Sequence, residues 1–194
     1  AFYQAFWSII ENDVVEFCQN FFSTGELAPE FNRTMVCLIP KVKQPEQMSN
    51  LRPISLCNML FRVLSKVLAN RLKTCLPNLI SANQSAFVEG TLLTDNALIA
   101  FEINHKIKRR TQGMNGVAGL KIDVSKAYDR LEWNFIEGML LKFGFHETWR
   151  SRIMSCIKTV SYSFVQRGVV FGEIYPQRGI RQGDLISPYL YILG

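Results

Sequence analysis

Apolar residues recur at intervals of three and four along several stretches of this chain, a spacing that places them on one face of a helix. The pattern predicts helices over residues 4–22, 58–76, 91–110 and 147–158. Pro77 is expected to end the second of these helices. Its predicted buried face consists of Leu60, Val63, Leu64, Val67, Leu68, Leu72 and Leu76. The apolar stripe of the first helix, from Phe6 through Ile9 to Phe21, is also expected in a core.

Short apolar runs bounded by proline, glycine or polar residues predict strands. Residues 35–40 and 51–56 form one predicted hairpin around a polar, basic loop. Residues 161–165 and 169–175 form a second, which turns at Arg167-Gly168. A further short strand is predicted over residues 117–124.

Asp123 lies at the end of that last predicted strand, among residues expected to be buried. A buried carboxylate is costly unless a partner compensates its charge. Three explanations are open: Asp123 caps the next helical turn, pairs with Lys121 or Lys126, or binds a hard metal ion such as Mg²⁺ together with a backbone carbonyl.

Three other stretches carry helix or turn signals. Asp129 precedes Glu132 at capping-box spacing and is expected to be the N-cap of a helix that reaches Phe143, and Ser81 to Gln84 has the same spacing. Ser187-Pro188 is expected to begin a final helix, with serine as its cap. In the turn before it, glycines flank Arg181 and Gln182, a combination that suits phosphate or base contact but also fits an ordinary tight turn.

Composition adds a moderate basic excess, since Lys and Arg outnumber Asp and Glu by 22 to 16. This charge suits a polyanionic partner, although a surface that merely happens to be basic is an equally good explanation. The five cysteines show no C-x-x-C spacing and lie near neither histidine, which argues against a zinc site or a disulfide framework and favours a reducing compartment. No run is long and apolar enough to predict a membrane span.

Five short motifs occur in an order that resembles the reverse transcriptase domain of non-LTR (LINE-type) retrotransposons. They are Leu38-Ile39-Pro40-Lys41, residues 50–56 (NLRPISL), residues 84–90 (QSAFVEG), residues 123–129 (DVSKAYD) and residues 178–188 (RGIRQGDLISP). The resemblance covers about residues 34–194. It implies an α+β fold with polymerase-type fingers and an incomplete palm, a split βαβ sheet flanked by helices. An N-terminal helical segment at residues 1–33 precedes it and has no assigned role.

The resemblance also implies how the chemistry is divided among residues. Asp123 and the backbone carbonyl of Val124 match the ligands of two Mg²⁺ ions, which makes Asp123 the expected catalytic residue. Tyr128 matches the ring that excludes a ribose 2′-hydroxyl and so selects dNTPs.

The remaining implied roles concern the nucleotide and the nucleic acid. Gln182 and Gly183 match the turn beside the incoming nucleotide, and either Lys41 or Lys43, with Arg52, matches the cations that hold its triphosphate. The expected contacts to the template strand are Gln84, Phe87, Gly90, Arg178 and Arg181. The implied partners are therefore an RNA template, a DNA primer and a dNTP, without a membrane.

One departure from the family pattern affects the expected activity. The family carries two adjacent aspartates on a later hairpin, followed by a thumb, and no Asp-Asp pair occurs in this sequence. Both ends of the chain look cut, so we expect a piece of a longer protein. We expect little or no polymerase activity from it alone. The alternatives are a non-catalytic nucleic-acid-binding relic of a retroelement and a plain helical interaction protein, which leaves the five ordered motifs unexplained.

Overall fold

The structure is a computed structural model, and it describes residues 2–81, 83–88, 90, 92–110 and 116–194. The helices, in chain order, are α1 (Phe2–Ala5), α2 (Trp7–Thr24), α3 (Pro29–Asn32), α4 (Met59–Leu79), α5 (Leu93–Arg109), α6 (Ala127–Arg130), α7 (Trp133–Lys142), α8 (Glu147–Lys158) and α9 (Ser187–Leu193). The strands are β1 (Arg33–Pro40), β2 (Leu51–Cys57), β3 (Ser161–Gln166) and β4 (Val169–Ile174).

The four strands form one mixed sheet in the order β2-β1-β3-β4. Both predicted hairpins are confirmed: β1 pairs antiparallel with β2, and β3 with β4. Arg167 and Gly168 both have positive φ, as a tight two-residue hairpin turn requires. A parallel pairing between β1 and β3, with Val36 opposite Phe164, joins the two hairpins. The α+β class is therefore confirmed.

Helix α4 forms the centre of the core, against which α7, α8 and α9 also pack. Leu64, Leu68, Leu72 and Leu76 are buried as predicted, because they recur every four residues on one face. The buried face is rotated slightly from the predicted one: Phe61, Ser65 and Ala69 are buried, whereas Leu60, Val63 and Val67 are only partly covered.

Residues 117–124 do not form the predicted strand, and their apolar side chains are exposed, Leu120 by 85% and Ile122 by 77%. The β-prone composition is real, but a strand also needs a neighbour for its backbone hydrogen bonds. None of the four described strands pairs with this stretch. Residues 117–124 thus add no strand to the sheet, which consists of the two hairpins and is flanked by helices as predicted.

Several predicted helix boundaries are wrong. α4 continues through Pro77 to Leu79, because proline removes one backbone donor near the helix end, while Leu79 and Ile80 still pack on the core. Ser187 is the first residue of α9 rather than its cap, and Ile186 occupies the N-cap position. Ser81 accepts a hydrogen bond from the Asn83 amide (3.3 Å) within a local turn and starts no helix.

Helices α2 and α5 expose apolar residues that their sequence patterns would place in a core. In the N-terminal region the helix is interrupted at Phe6, and Phe6 and Ile9 are exposed, contrary to the prediction, since the packing of α2 begins at Val14. Helix α5 agrees with its predicted span, although Thr91 lies outside the described residues. Its apolar residues Leu98, Phe101 and Ile103 are exposed.

The described part of the N-terminal segment, residues 2–33, shares the core of the rest of the chain, since Phe21 and Leu27 belong to the same buried cluster as α4 and α8. All five cysteines are free thiols. Among the described residues, no helix combines the length and the apolar character needed to cross a membrane.

Candidate functional site

The turn at residues 178–184 is attached to the junction between α6 and α7. The Gly179 amide donates to the Leu131 carbonyl (2.8 Å), and the Ile180 amide donates to the Tyr128 carbonyl (2.9 Å). The Trp133 indole N–H returns a bond to the Gly179 carbonyl (2.8 Å). The structure thus brings the DVSKAYD and RGIRQGD motifs into direct contact.

Asp129 is the predicted N-cap of the helix that reaches Phe143, but Glu132 occupies that position. The attachment of the turn explains the difference. The carbonyls of Tyr128 and Leu131 would continue the helix if they accepted bonds from residues further along, but the turn amides occupy them. The helix therefore breaks between Arg130 and Trp133. Asp129 lies inside α6, and its side chain is exposed.

A groove of about 250 Å³ opens where this turn meets the sheet. Its walls come from β1 and β2 (Val36, Pro53 and Ser55), from β3 and β4 (Tyr162, Phe164 and Ile174) and from the turn (Arg178, Gly179, Ile180 and Gln182). Asp129 and Pro176 complete the lining. Gly183 lies so close to β2 that an added Cβ would be 3.6 Å from the Ser55 carbonyl oxygen. The groove therefore unites the NLRPISL, DVSKAYD and RGIRQGD motifs, with Gln182 in its lining.

Arg181, which precedes Gln182, points away from solvent into the core. Its guanidinium donates to the Asn32 side-chain oxygen (2.7 Å), the Thr34 hydroxyl (3.1 Å) and the Cys156 carbonyl (3.1 Å). It also lies 3.5 Å from the Asp184 carboxylate and stacks on the Phe61 ring at 3.8 Å. We call Asn32, Thr34, Ser65, Arg181 and Asp184 the Arg181 network.

Because its side chain is only 4% exposed, Arg181 cannot contact a template strand in this conformation, and the corresponding prediction is set aside. Arg178 is exposed at the edge of the groove and forms an ion pair with Glu132 (3.3 Å). Both of these side chains are more than half exposed, so the pair contributes little to stability and leaves Arg178 accessible to a ligand.

Tyr128 is half-buried, and its ring stacks on Tyr191 with a centroid distance of 5.3 Å and an interplanar angle of 14°. Burial, followed by the proximity of Tyr191, raises the pKa of Tyr128 above its usual value. The backbone of Tyr128 thus holds the turn, and its ring packs on α9.

Asp123 and Val124, the expected metal ligands, are exposed in the stretch that forms no strand. The carboxylate that lines the groove is that of Asp129, and Asp123 is not among the lining residues. The capping and ion-pair explanations for Asp123 are wrong: Lys126 is the N-cap of α6, and Asp123 takes part in no ion pair between described residues. The metal-ligand explanation stays a prediction.

The described residues supply only part of a magnesium site. Nowhere in the described ranges do three or more His, Cys, Asp or Glu side chains gather in a way that could hold a metal ion. Mg²⁺ takes oxygen ligands in octahedral geometry, often one or two carboxylates with substrate phosphates and water. Asp123 and the Val124 carbonyl fit the oxygen chemistry, but the remaining ligands would have to come from a nucleotide, from water or from carboxylates other than these.

The predicted triphosphate-binding cations lie at the tip and side of the β1–β2 hairpin, and all three are exposed. The Lys41 ammonium donates to the Ser49 carbonyl (3.0 Å). Lys43 makes no hydrogen bond or ion pair with the described residues, and Arg52 lies on β2 opposite Ile39. The hairpin therefore presents three exposed cations to solvent.

The predicted template segment forms a turn-rich loop. Phe87 and Gly90 both have positive φ and are exposed, whereas Gln84 is half-buried and its side chain accepts a bond from the Ala86 amide (3.3 Å). An aromatic ring held out by a strained backbone is available for stacking on a base. None of these three residues lines the groove.

Two groups near the Arg181 network have strongly raised pKa values. Burial raises the pKa of the Cys156 thiol to about 12, with a smaller contribution from the Asp184 carboxylate. Burial likewise raises the pKa of the Tyr162 phenol, on the groove wall, to about 12, against the opposing effect of Arg181. Both groups are therefore neutral at ordinary pH and serve as packing surfaces rather than as nucleophiles.

The buried contacts of the Arg181 network were not predicted from the sequence. The spacing of Arg181 and Asp184 could have suggested an ion pair, and Ser65 on the apolar face of α4 could have suggested a buried polar contact. Asn32 and Thr34 gave no such signal, because their partners lie more than a hundred residues away.

Comparison with known proteins connects this geometry to a family. The sequence model of the family described as reverse transcriptase (RNA-dependent DNA polymerase) matches residues 39–194. The chain is similar to the transposon TX1 uncharacterized 149 kDa protein of Xenopus laevis, with 29% identity over 99% of this chain and 14% of that protein.

Two further similar proteins are Retrovirus-related Pol polyproteins. One is from the type-1 retrotransposable element R2 of Popillia japonica, with 27% identity over 86% of this chain and 23% of that protein. The other is from the type-2 element R2DM of Drosophila melanogaster, with 28% identity over 87% of this chain and 16% of that protein. The chain thus spans less than a quarter of the length of each of these relatives.

The contact between Gly179 and α6 can be tested with Gly179→Ala. Gly179 has φ +85°, and an added Cβ would lie 3.1 Å from the Asp129 carbonyl oxygen and 3.2 Å from that of Tyr128. Gly172→Ala is the matched control, because Gly172 has φ +62° with no atom within 4 Å of the added Cβ. Backbone strain alone costs about 1–3 kcal/mol, and we expect Gly179→Ala to lose at least about 1 kcal/mol more than the control in urea denaturation. Equal losses would contradict the close contact.

The raised pKa values of Cys156 and Tyr162 predict a loss of stability in alkali. Their ordinary values are 9.0 and 10.0, so between these values and about 12 the folded protein keeps protons that the unfolded chain has released. The contribution of these two groups to the free energy of unfolding is therefore complete below about pH 9 and is lost as pH rises towards 12. Urea midpoints measured from pH 8 to 11 should decline less steeply in a Cys156→Ala/Tyr162→Phe variant than in the unaltered chain. An unchanged slope would show that these groups are not responsible.

Proposed function

This chain belongs to the reverse transcriptase family, and on that premise we propose that it is the nucleotide-facing part of an RNA-directed DNA polymerase. Its similarity to transposon TX1 and R2 element proteins confirms the predicted relationship to non-LTR retrotransposons. In the proposed reaction, the 3′-hydroxyl of a primer attacks the α-phosphate of a dNTP opposite an RNA template, and pyrophosphate leaves.

The observation that carries this proposal is the groove in which three separate motifs meet. Residues from β2, from the α6 region and from the Gln182 turn line one concave surface, although more than 120 residues of sequence separate Pro53 from Gln182. Gln182 offers an amide at this surface, and Gly183 beside it has φ +98°, a backbone conformation that favours glycine. Such a surface suits a nucleotide base and its pairing partner.

Exposed positive charge supports the binding of a triphosphate. Lys43 and Arg52 on the β1–β2 hairpin are exposed cations that could hold a triphosphate, and Arg178 adds a third at the groove edge. Lys43 is a better candidate than Lys41, whose ammonium already donates to Ser49. Phe87 would stack on an unpaired template base, with Gln84 and Gly90 shaping its loop.

Two roles of the proposal rest on family likeness together with position. Tyr128 would limit the space at the ribose 2′-position, since its ring is fixed by stacking on Tyr191. Asp123 and the Val124 carbonyl would hold Mg²⁺, which supplies charge neutralisation at the reacting phosphates when bound. We infer two ions for the complete enzyme and incomplete ligation by the residues described here.

The incomplete ligand set favours a second candidate function. A chain that keeps the basic hairpin and the groove but lacks further carboxylates could bind an RNA–DNA hybrid without extending it. Primer extension on an RNA template separates the two functions: we expect little or no dNTP incorporation by this chain alone, and robust incorporation would refute that expectation.

Hybrid binding tests the assignment of the basic hairpin. We expect Lys43→Ala to weaken binding of a fluorescently labelled RNA–DNA hybrid and to reduce the salt slope by about one, because one phosphate contact is lost. Lys142→Ala removes an exposed lysine from the end of α7 and serves as the charge-matched control. Anisotropy titrations at several salt concentrations measure both quantities. Equal effects of the two substitutions would contradict a specific role for the hairpin.

The role of Asp123 is best tested in a form of the protein that incorporates dNTPs. Asp123→Ala should abolish Mg²⁺-dependent dNTP incorporation, because the substitution removes the carboxylate proposed to bind the metal. Hybrid affinity and thermal stability should stay unchanged, since Asp123 is exposed and unpaired among the described residues. A modest loss of activity in step with stability would instead indicate a structural role.

A further inference from the structure

We propose that the Arg181 network is a positioning device that fixes Gln182 in the groove, so that residues preceding the family-matched region complete the site. The family match begins at residue 39, whereas Asn32 and Thr34 precede it. This inference rests on the proposed function in what it says of the nucleotide, but its structural half can be tested without any ligand.

Asn32, at the end of α3, connects Arg181 to the C-terminal end of α8. Its side chain is fully buried, and its amide nitrogen donates to the Cys156 carbonyl (2.9 Å) and the Thr159 hydroxyl (2.7 Å). Its amide oxygen accepts from Arg181 (2.7 Å). Both ends of the amide are thus used, so Asn32 links the end of α8 to the Arg181 guanidinium.

Arg181 gains enough partners to remain charged in the core. Asn32, Thr34 and the Cys156 carbonyl accept its hydrogen bonds, Asp184 balances its charge and Phe61 covers its face. A buried charge that loses one partner is strongly unfavourable. The guanidinium is therefore held at one place in the fold, and its own backbone is held with it.

Asp184 anchors the other side of the turn. The Ser65 hydroxyl on α4 donates to the Asp184 carboxylate and accepts from the Ile186 amide (3.2 Å). Ser65 thereby satisfies the otherwise uncapped start of α9, where Ile186 offers no side-chain cap. The turn is connected to α4 at this point.

Gln182 lies between these two anchors. One residue before it, Arg181 is fixed to β1 and α8, and two residues after it, Asp184 is fixed to α4. Because neighbouring Cα atoms are about 3.8 Å apart, Gln182 has little freedom to move when both sides are fixed. Its half-buried side chain is consequently directed to the groove that it lines.

Amide hydrogen exchange tests the positioning without a ligand. Gly179, Ile180 and Ile186 report on the turn because their amides are bonded to Leu131, Tyr128 and Ser65. In Asn32→Ala, we expect exchange at these amides to rise about tenfold or more relative to the rest of the core, because local opening becomes easier. Val14→Ala, which removes buried volume from α2 without touching the network, is the control and should leave this ratio unchanged.

A conservative pair keeps the test decisive if Asn32→Ala does not fold. Thr34→Val preserves the shape of this buried side chain but removes the hydroxyl that accepts from Arg181. It should accelerate exchange at the same amides, and Thr34→Ser, which keeps the hydroxyl, should restore protection. If neither Asn32→Ala nor Thr34→Val accelerates exchange at these amides more than Val14→Ala does, the network does not position the turn.

Binding of an RNA–DNA hybrid with a templated dNTP tests the functional half. We expect Thr34→Val to raise the dissociation constant by about fivefold or more, the range typical of a coupling free energy between sites, and Thr34→Ser to leave it unchanged. Faster turn exchange with unaltered binding would overturn the link between the network and the site. Absence of binding by the unaltered chain would refute the proposed function, while the exchange comparison would still decide whether the network holds the turn.

Discussion

The buried positive charge of Arg181 is the constraint on which the rest of the site depends. A guanidinium that is 4% exposed is tolerated only because a carboxylate, an aromatic face and three oxygen acceptors surround it. Such a group is weak evidence for stability, since a well-packed apolar substitute can be as stable. Its partners come from α3, β1, α4 and α8, so the charge is satisfied only where these elements meet.

The same constraint determines where the turn presents its polar groups. Hydrogen bonds from the Gly179 and Ile180 amides interrupt the helix at residues 131–132. Asp129, which precedes the break, lies in the groove wall. On the other side, Asp184 and Ser65 place the start of α9. One seven-residue turn therefore fixes a helix break, a helix start and the approach to β2. It has glycine where the approach to neighbouring backbone is closest, at Gly179 and Gly183.

How far the sequence predicts this molecule depends on the range of the interactions involved. Helices such as α4 and α8 and the two hairpins follow from local periodicity and turn chemistry, and they agree with the predictions. Residues 117–124 carry the same local signal, but pairing requires a partner strand that the described residues do not supply. Arg181 shows the opposite failure: its neighbours in sequence suggest a surface contact, whereas acceptors up to 149 residues away draw it into the core.

The site divides into a part that is already fixed and a part that is not. The groove and its Gln182 turn depend on buried bonds between described residues, none of which involves a metal ligand. Asp123 lies outside the groove lining in an exposed stretch, so its position relative to a substrate is not determined by this packing. The proposed nucleotide surface and the proposed metal ligands are therefore physically separable here. A chain with this fold can keep the packing of its groove whatever the position of Asp123, because none of the buried bonds that hold the groove involves that residue.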